Sequence, residues 1–319
     1  MSERIRSFGW SETPLGAMET WPDALKISLS IAEHSAFPMA VYWGEDLRLL
    51  YNDPWAPFLG ERHPWALGRP AREVWSDIWD IVGPQLEQVF ATGEGISADE
   101  QMLPMVRDGA RQETYWNYSF TPIRDASGGV AGIFNLGTDV TKAVLSERRL
   151  SFQVALADRL RTLHLPSEMK QAAVAMLGQQ LKADRVGFLE VDEARDLVAV
   201  SSEWTRSPNA KSMLGGAGKL SDLPAAAVTH LRTGQVLAIA DVDNLAGGSS
   251  EADAGLGAKL GVRAVITVPL VRDGKLRAML FVHGIEVREW KRSEAALARD
   301  VAERSWAAVE RAESEERLR

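Results

Sequence analysis

Gly132-Ile133-Phe134-Asn135-Leu136-Gly137-Thr138-Asp139-Val140-Thr141 ends an apolar strand and runs, with no further Gly or Pro, into the charged stretch Lys142 to Leu163. A strand that passes directly into a long helix couples a small domain mechanically to whatever follows it. The stretch therefore points to signal input and away from catalysis.

The helix is read from Leu145, Phe152, Leu156, Leu160 and Leu163, which recur at three-, four- and seven-residue intervals with Glu147, Arg148, Arg149, Asp158 and Arg159 between them. Pro166 ends it. So narrow an apolar stripe either packs on its own domain or pairs with a second copy of itself. Leu145, Phe152, Leu156 and Leu163 are the expected seam of such a homodimer.

At 319 residues the chain predicts two domains, each large enough to bury a core. A formal charge of −8 argues against nucleic acid and anionic membranes as partners, since both require clustered Lys and Arg. No run approaches the roughly 20 apolar residues that span a bilayer, and Met1 to Arg6 leads into a Trp-containing turn instead of a signal-peptide core, so a cytoplasmic location is expected. The absence of cysteine excludes disulfides, thiolate metal sites, cysteine nucleophiles and thioether-linked chromophores.

None of the five histidines has metal-pair spacing, and no metal is predicted. Leu214-Gly215-Gly216-Ala217-Gly218-Lys219-Leu220 imitates a phosphate loop, but Met213 replaces its first Gly and Leu220 the hydroxyl that would reach magnesium. With no converging nucleophile, base or metal set, this stretch is not expected to be an enzyme, and no catalytic residue is assigned.

The first ~35 residues look like a cap. Pro38 to Trp43 and Arg48 to Asn52 then alternate as a hairpin around Gly44-Glu45-Asp46, followed by Pro- and Gly-punctuated helical pieces and a helix near Gln85 to Thr92. Leu103 to Val106, Glu113 to Phe120 and Val130 to Leu136 complete a five-stranded antiparallel sheet, with turns at Asp108-Gly109 and Asp125 to Gly129. Beyond the connecting helix, Met169 to Lys182 and Ala225 to Thr233 read as helices. Arg185 to Val191, Leu197 to Trp204, Val236 to Ala240, Ala264 to Leu270 and Leu276 to His283 read as strands, and a last helix starts near Ser293. The fold class is α+β: two domains, each a central antiparallel β-sheet flanked by helices, joined by a long helix.

Seven of eleven Trp precede residue 80, and large rings placed so close together either fill the core of a small domain or wall a ligand cavity. Trp43, Trp55, Trp75 and Trp116 are the pocket candidates in the first half and Trp204 in the second. Asn52 ends a strand beside the aromatic cluster, where its amide either reads a ligand or ties down the Asp53-Pro54 turn. His283 follows an apolar strand and either faces a cavity or bonds a loop carbonyl.

The first half resembles a PAS domain through Tyr51-Asn52-Asp53-Pro54-Trp55, Leu67-Gly68-Arg69-Pro70 and the exit Thr138-Asp139-Val140-Thr141, which is similar to the aspartate-hydrophobe-threonine motif of that family. The resemblance implies that Asp139 and Thr141 link the last strand to the signalling helix. The second half resembles a GAF domain through Ala183 to Gly187, Val268 to Leu276 and Trp290. On this reading residues 1–35 are a cap, 36–141 the PAS domain, 142–165 the signalling helix, 166–290 the GAF domain and 291–319 an output helix.

Together the halves resemble the input region of bacterial sensor histidine kinases of the HWE type. That implies a homodimer, a kinase domain beyond Arg319 in the same chain, and a response regulator as its partner. A PAS-GAF module controlling another kind of output is the alternative. Phytochromes also combine PAS and GAF, and His283 stands where their GAF strand carries a Cys-His-His run. The missing cysteine excludes a covalently held bilin and a cysteinyl-flavin adduct; no cofactor is predicted, and a non-covalent ligand stays open.

Overall fold

A computed structural model describes residues 2–107, 109–208, 210, 212–244 and 261–318. Asp108 of the expected Asp108-Gly109 turn lies outside the described residues. The chain divides into two compact units, one up to Arg149 and one from Leu150.

The first unit runs through α1 (Ser2–Ser7), α2 (Asp23–His34), β1 (Met39–Trp43), β2 (Arg48–Tyr51), α3 (Ala56–Leu59), α4 (Ala71–Val74), α5 (Trp79–Thr92), β3 (Ile96–Arg107), β4 (Ala110–Arg124) and β5 (Val130–Asp139). Its five strands lie antiparallel in the order β2-β1-β5-β4-β3. β5 is thus the central strand, with Val41 opposite Phe134 on one side and Ser119 opposite Leu136 on the other. β3 begins at Ile96, seven residues before the strand the alternation predicts, although Ile96 to Gln101 is largely polar. Ladder bonding to β4 holds it there, with Ile96 opposite Phe120, so pairing overrides local pattern.

Tryptophans fill this core: Trp10, Trp21, Trp43, Trp55, Trp75 and Trp116 are all buried, and of the tryptophans before residue 80 only Trp65 stands largely exposed. Asn52 connects the cap to the sheet. Its Nδ2 donates to the carbonyls of Ala32 and Phe37 at 2.9 and 2.8 Å, and its Oδ1 accepts from the amides of Met39 and Trp55 at 3.0 and 3.1 Å. One buried side chain thereby bonds four backbone groups, of which the Ala32 carbonyl also accepts from the Ser35 amide and the Trp55 amide also donates to the Asn52 carbonyl.

α6 (Thr141–Arg161) leads out of this sheet. The second unit continues with α7 (Pro166–Leu181), β6 (Arg185–Asp192), β7 (Leu197–Thr205), β8 (Ala217–Gly218), α8 (Ala225–Arg232), β9 (Leu237–Ile239), β10 (Ala264–Arg272), β11 (Lys275–Gly284) and α9 (Arg292–Arg317). Its strands form one antiparallel sheet in the order β8-β7-β6-β11-β10-β9. Alternation divides the sheet into two faces. Val186, Phe188, Ile266, Val268, Leu280 and Val282 pack with residues of α6, α7 and α9, whereas Met279 joins Val191, Val198, Leu220, Val228 and Leu231 in a separate cluster.

Leu156 and Leu160 of α6 are buried in the first of these clusters, and Phe152 and Leu163 pack against it. The apolar stripe of the helix is therefore occupied by its own domain from Phe152 onward. Leu145, Leu150 and Val154 are the large apolar side chains that α6 leaves exposed.

Replacing Asn52 by Ala removes all four of these side-chain hydrogen bonds, at a cost of about 3 kcal/mol. Denaturant unfolding of the full chain should show that loss. A midpoint equal to wild type would contradict the linking role.

Candidate functional site: an aromatic cavity and a strand exit

The inward faces of the first sheet and the helical segment opposite it surround a cavity. Tyr42, Trp116, Tyr118, Phe120, Asn135 and Gly137 contribute from β1, β4 and β5, Leu103 and Met105 from β3, and Trp55, Phe58, Trp75, Ile78 and Val82 from the helical side. It spans about 430 Å³ of space between atoms, part of it open to solvent, and about 40 Å³ admits the centre of a water molecule. Phe58 stands edge-on to Trp116 with ring centroids 4.7 Å apart and to Trp55 at 5.4 Å. Gly137 lets the ring sit close, because a Cβ there would stand 3.1 Å from the Trp55 ring and push it back by a few tenths of an ångström.

Most polar atoms of the wall are paired. Trp75 Nε1 donates to Tyr42 Oη at 2.9 Å, Tyr118 Oη donates to Gln85 Oε1 at 2.7 Å, and Trp116 Nε1 donates to Thr114 Oγ1 at 2.8 Å. Burial pushes the Tyr42 hydroxyl up to about 12, so it stays protonated at neutral pH. Among the described residues, two buried atoms of this wall have no partner: Trp55 Nε1 and Asn135 Oδ1.

The strand that carries Asn135 and Gly137 ends at Asp139. Its Oδ2 accepts from Arg107 Nη2 at 2.9 Å and its Oδ1 from the Thr141 amide at 2.9 Å, while Thr141 Oγ1 accepts from the Tyr115 amide at 2.8 Å. Burial opposes ionisation of Asp139, but hydrogen bonding from Thr141 and then the Arg107 guanidinium outweigh it and hold the carboxyl below its usual range. Arg107 also lies over the Trp116 ring, 5.4 Å from its centroid. One cation therefore touches both the cavity wall and the helix exit.

In the second unit His283 is 7% exposed and stacks on Phe281 with ring centroids 4.5 Å apart. Its Nδ1 has no partner among the described residues. Burial, reinforced by the charge of Arg185, lowers its pKa to about 3. Arg185 itself pairs with Glu203 at 3.1 Å, and Glu203 accepts from the Met213 amide at 3.0 Å.

Of the seven pocket candidates, the structure brings Trp55, Trp75 and Trp116 together in the cavity. Trp43 packs instead over Gly132, where a Cβ would stand 2.6 Å from its ring, and Asn52 is saturated by backbone. Trp204 covers Gly178 of α7 in the other unit. Asn135 and Arg107 were not picked out from the sequence. Asn135 was detectable as a polar residue at an inward position between Ile133 and Gly137; Arg107 acquires its role only through the pairing of β3 with β4.

Residues 33–145 match the PAS fold family and residues 166–309 match the GAF domain family. The chain thus carries a PAS domain followed by a GAF domain, in an α+β arrangement of two antiparallel sheets with flanking helices. Among solved structures it is similar to the chromophore-binding domain of a Stigmatella aurantiaca bacteriophytochrome, at 17% identity over 86% of this chain and 95% of that one, with a TM-score of 0.45. The photosensory core module of a phytochrome from the same organism matches at 16% identity over 89% of this chain and 60% of that one, at 0.47. The blue-light absorbing form of the Thermosynechococcus elongatus PixJ GAF domain matches at 22% identity over 48% of this chain and 89% of that one, at 0.41. At these identities and scores, no property of those proteins is carried over.

His283 generates a test. Its unfolded pKa is about 6.5 and its folded value is about 3, so between these pH values the unfolded chain binds the extra proton. Stability is fully present above pH ~6.5 and falls as pH drops toward 3, with a slope approaching 1.4 kcal/mol per unit. Denaturant titrations across that window should show this slope in wild type and a shallower one in His283→Gln. Parallel profiles would contradict the assignment.

Proposed function

We propose that this chain is the sensory input region of a two-component histidine kinase, in which the state of the PAS domain is relayed through α6 to a kinase output beyond residue 319. The observation that carries this reading is the exit geometry: Asp139 is held at once by Arg107, which touches the cavity wall, and by Thr141, the first residue of α6. A change at the wall alters a contact made by the residue that starts the helix. Couplings of this kind are typically worth about 1–3 kcal/mol.

The proposed working form is a cytoplasmic homodimer whose output phosphorylates a response regulator. Leu145, Leu150 and Val154 are the α6 residues free to meet a second copy, because Leu156 faces its own core. No helix among the described residues is long and apolar enough to cross a membrane. No group of His, Asp or Glu able to hold a metal occurs among them. The two domains identified are both sensory, so phosphoryl transfer would belong to the kinase domain.

A second reading, a ligand-binding PAS-GAF module acting on another output, is favoured by the unpartnered Trp55 Nε1 and Asn135 Oδ1 in the cavity. A thioether-linked pigment has no cysteine here to hold it, and non-covalent pigment binding is untouched by that count. An absorbance scan of the purified protein tests for such a pigment directly.

In the natural protein carrying this region, Asp139→Ala should leave the fold intact by circular dichroism, with a stability loss of about 1 kcal/mol, and uncouple kinase output from the input. Regulation equal to wild type would sink the relay. Light scattering should give a dimer that Val154→Asp weakens at least tenfold, and a stable monomer at high concentration would rule out the proposed assembly.

A further inference from the structure

On the reading that the PAS cavity is a ligand site, its chemistry narrows what can enter. No Asp, Glu, Lys, Arg or His lines it. A charged molecule would lose its hydration there with nothing to compensate, at a cost that disfavours binding strongly. The wall is built of rings, which favours a flat guest that stacks or meets them edge-on.

Two unpaired atoms add direction. Trp55 and Asn135 are each only 4% exposed, and Trp55 Nε1 and Asn135 Oδ1 bond to nothing among the described residues. Indole nitrogen can only donate, and the amide oxygen only accepts. Buried polar groups are normally satisfied, and both residues line the cavity, so a guest that displaces the wall beside these two inaccessible atoms is asked for a complementary acceptor and donor.

Size sets the last condition. The 40 Å³ open to a water centre is less than a benzene ring needs, so a guest must displace part of the wall. Phe58 is the ring with least to lose, because it is only partly buried and borders both Trp55 and Trp116.

We propose that the PAS cavity binds a small, uncharged aromatic molecule carrying one hydrogen-bond acceptor, taken by Trp55 Nε1–H, and one donor, given to Asn135 Oδ1. Benzamide, acetophenone, toluene and benzoate separate the requirements, being close in shape. They carry respectively acceptor and donor, acceptor alone, neither, and a negative charge.

Calorimetric titration of the full chain should rank benzamide above acetophenone above toluene, with about tenfold between the first and last and no saturable benzoate binding. Trp55→Phe should weaken benzamide and acetophenone about tenfold and leave toluene unchanged, which also shows that the variant keeps its cavity. Toluene binding as tightly as benzamide, or benzoate binding best, overturns the proposed ligand class while the cavity remains a ligand site. Saturable binding by none of the four overturns both.

Discussion

The first domain depends on one constraint: β5 has a partner strand on each side, so its register is fixed along its whole length. Ile133, Asn135, Gly137 and Asp139 follow at a period of two and share a face. Ile133 is in the core, Asn135 and Gly137 form part of the cavity wall, and Asp139 sits where the strand gives way to α6. A slip by one residue would turn all four to the opposite face. The cavity and the exit cannot be positioned independently.

The link between them is electrostatic and modest. Arg107 and Asp139 keep 28% and 24% of their side-chain surface in solvent, so water screens their attraction and the pair contributes on the order of 1 kcal/mol. A tighter, fully buried pair would hold one state against any input. A contact of this size, shared with the face of Trp116, is within reach of the energy that a small guest or a packing change can supply.

The order and type of the elements were legible because alternation and helical periodicity report burial directly. The strand exit was legible because an apolar strand runs into a helical pattern with no Gly or Pro between them, while the linking role of Asp139 and Thr141 is what the PAS resemblance implies. Three cavity rings, Trp55, Trp75 and Trp116, could be chosen as large apolar groups. What separates them from Trp43 is register: Trp43 lies over Gly132 across the β1–β5 pair, and that depends on a strand ninety residues away. The polar stretch that extends β3, and with it the placement of Arg107, is likewise set by pairing with β4. Asn52 showed the reverse case, since both its readings were visible and only the four bonds decided for the structural one.

Arg107 holds the start of α6 onto the sheet through Asp139. Hydrogen exchange at the amides of Val140, Thr141 and Val144, compared between wild type and Arg107→Ala, tests it most directly. These amides bond to Tyr115, Asp139 and Val140, respectively, so the account predicts faster exchange at all three and unchanged exchange at Ile133 and Asn135 in the strand interior. Equal exchange at the exit in the two proteins would contradict it.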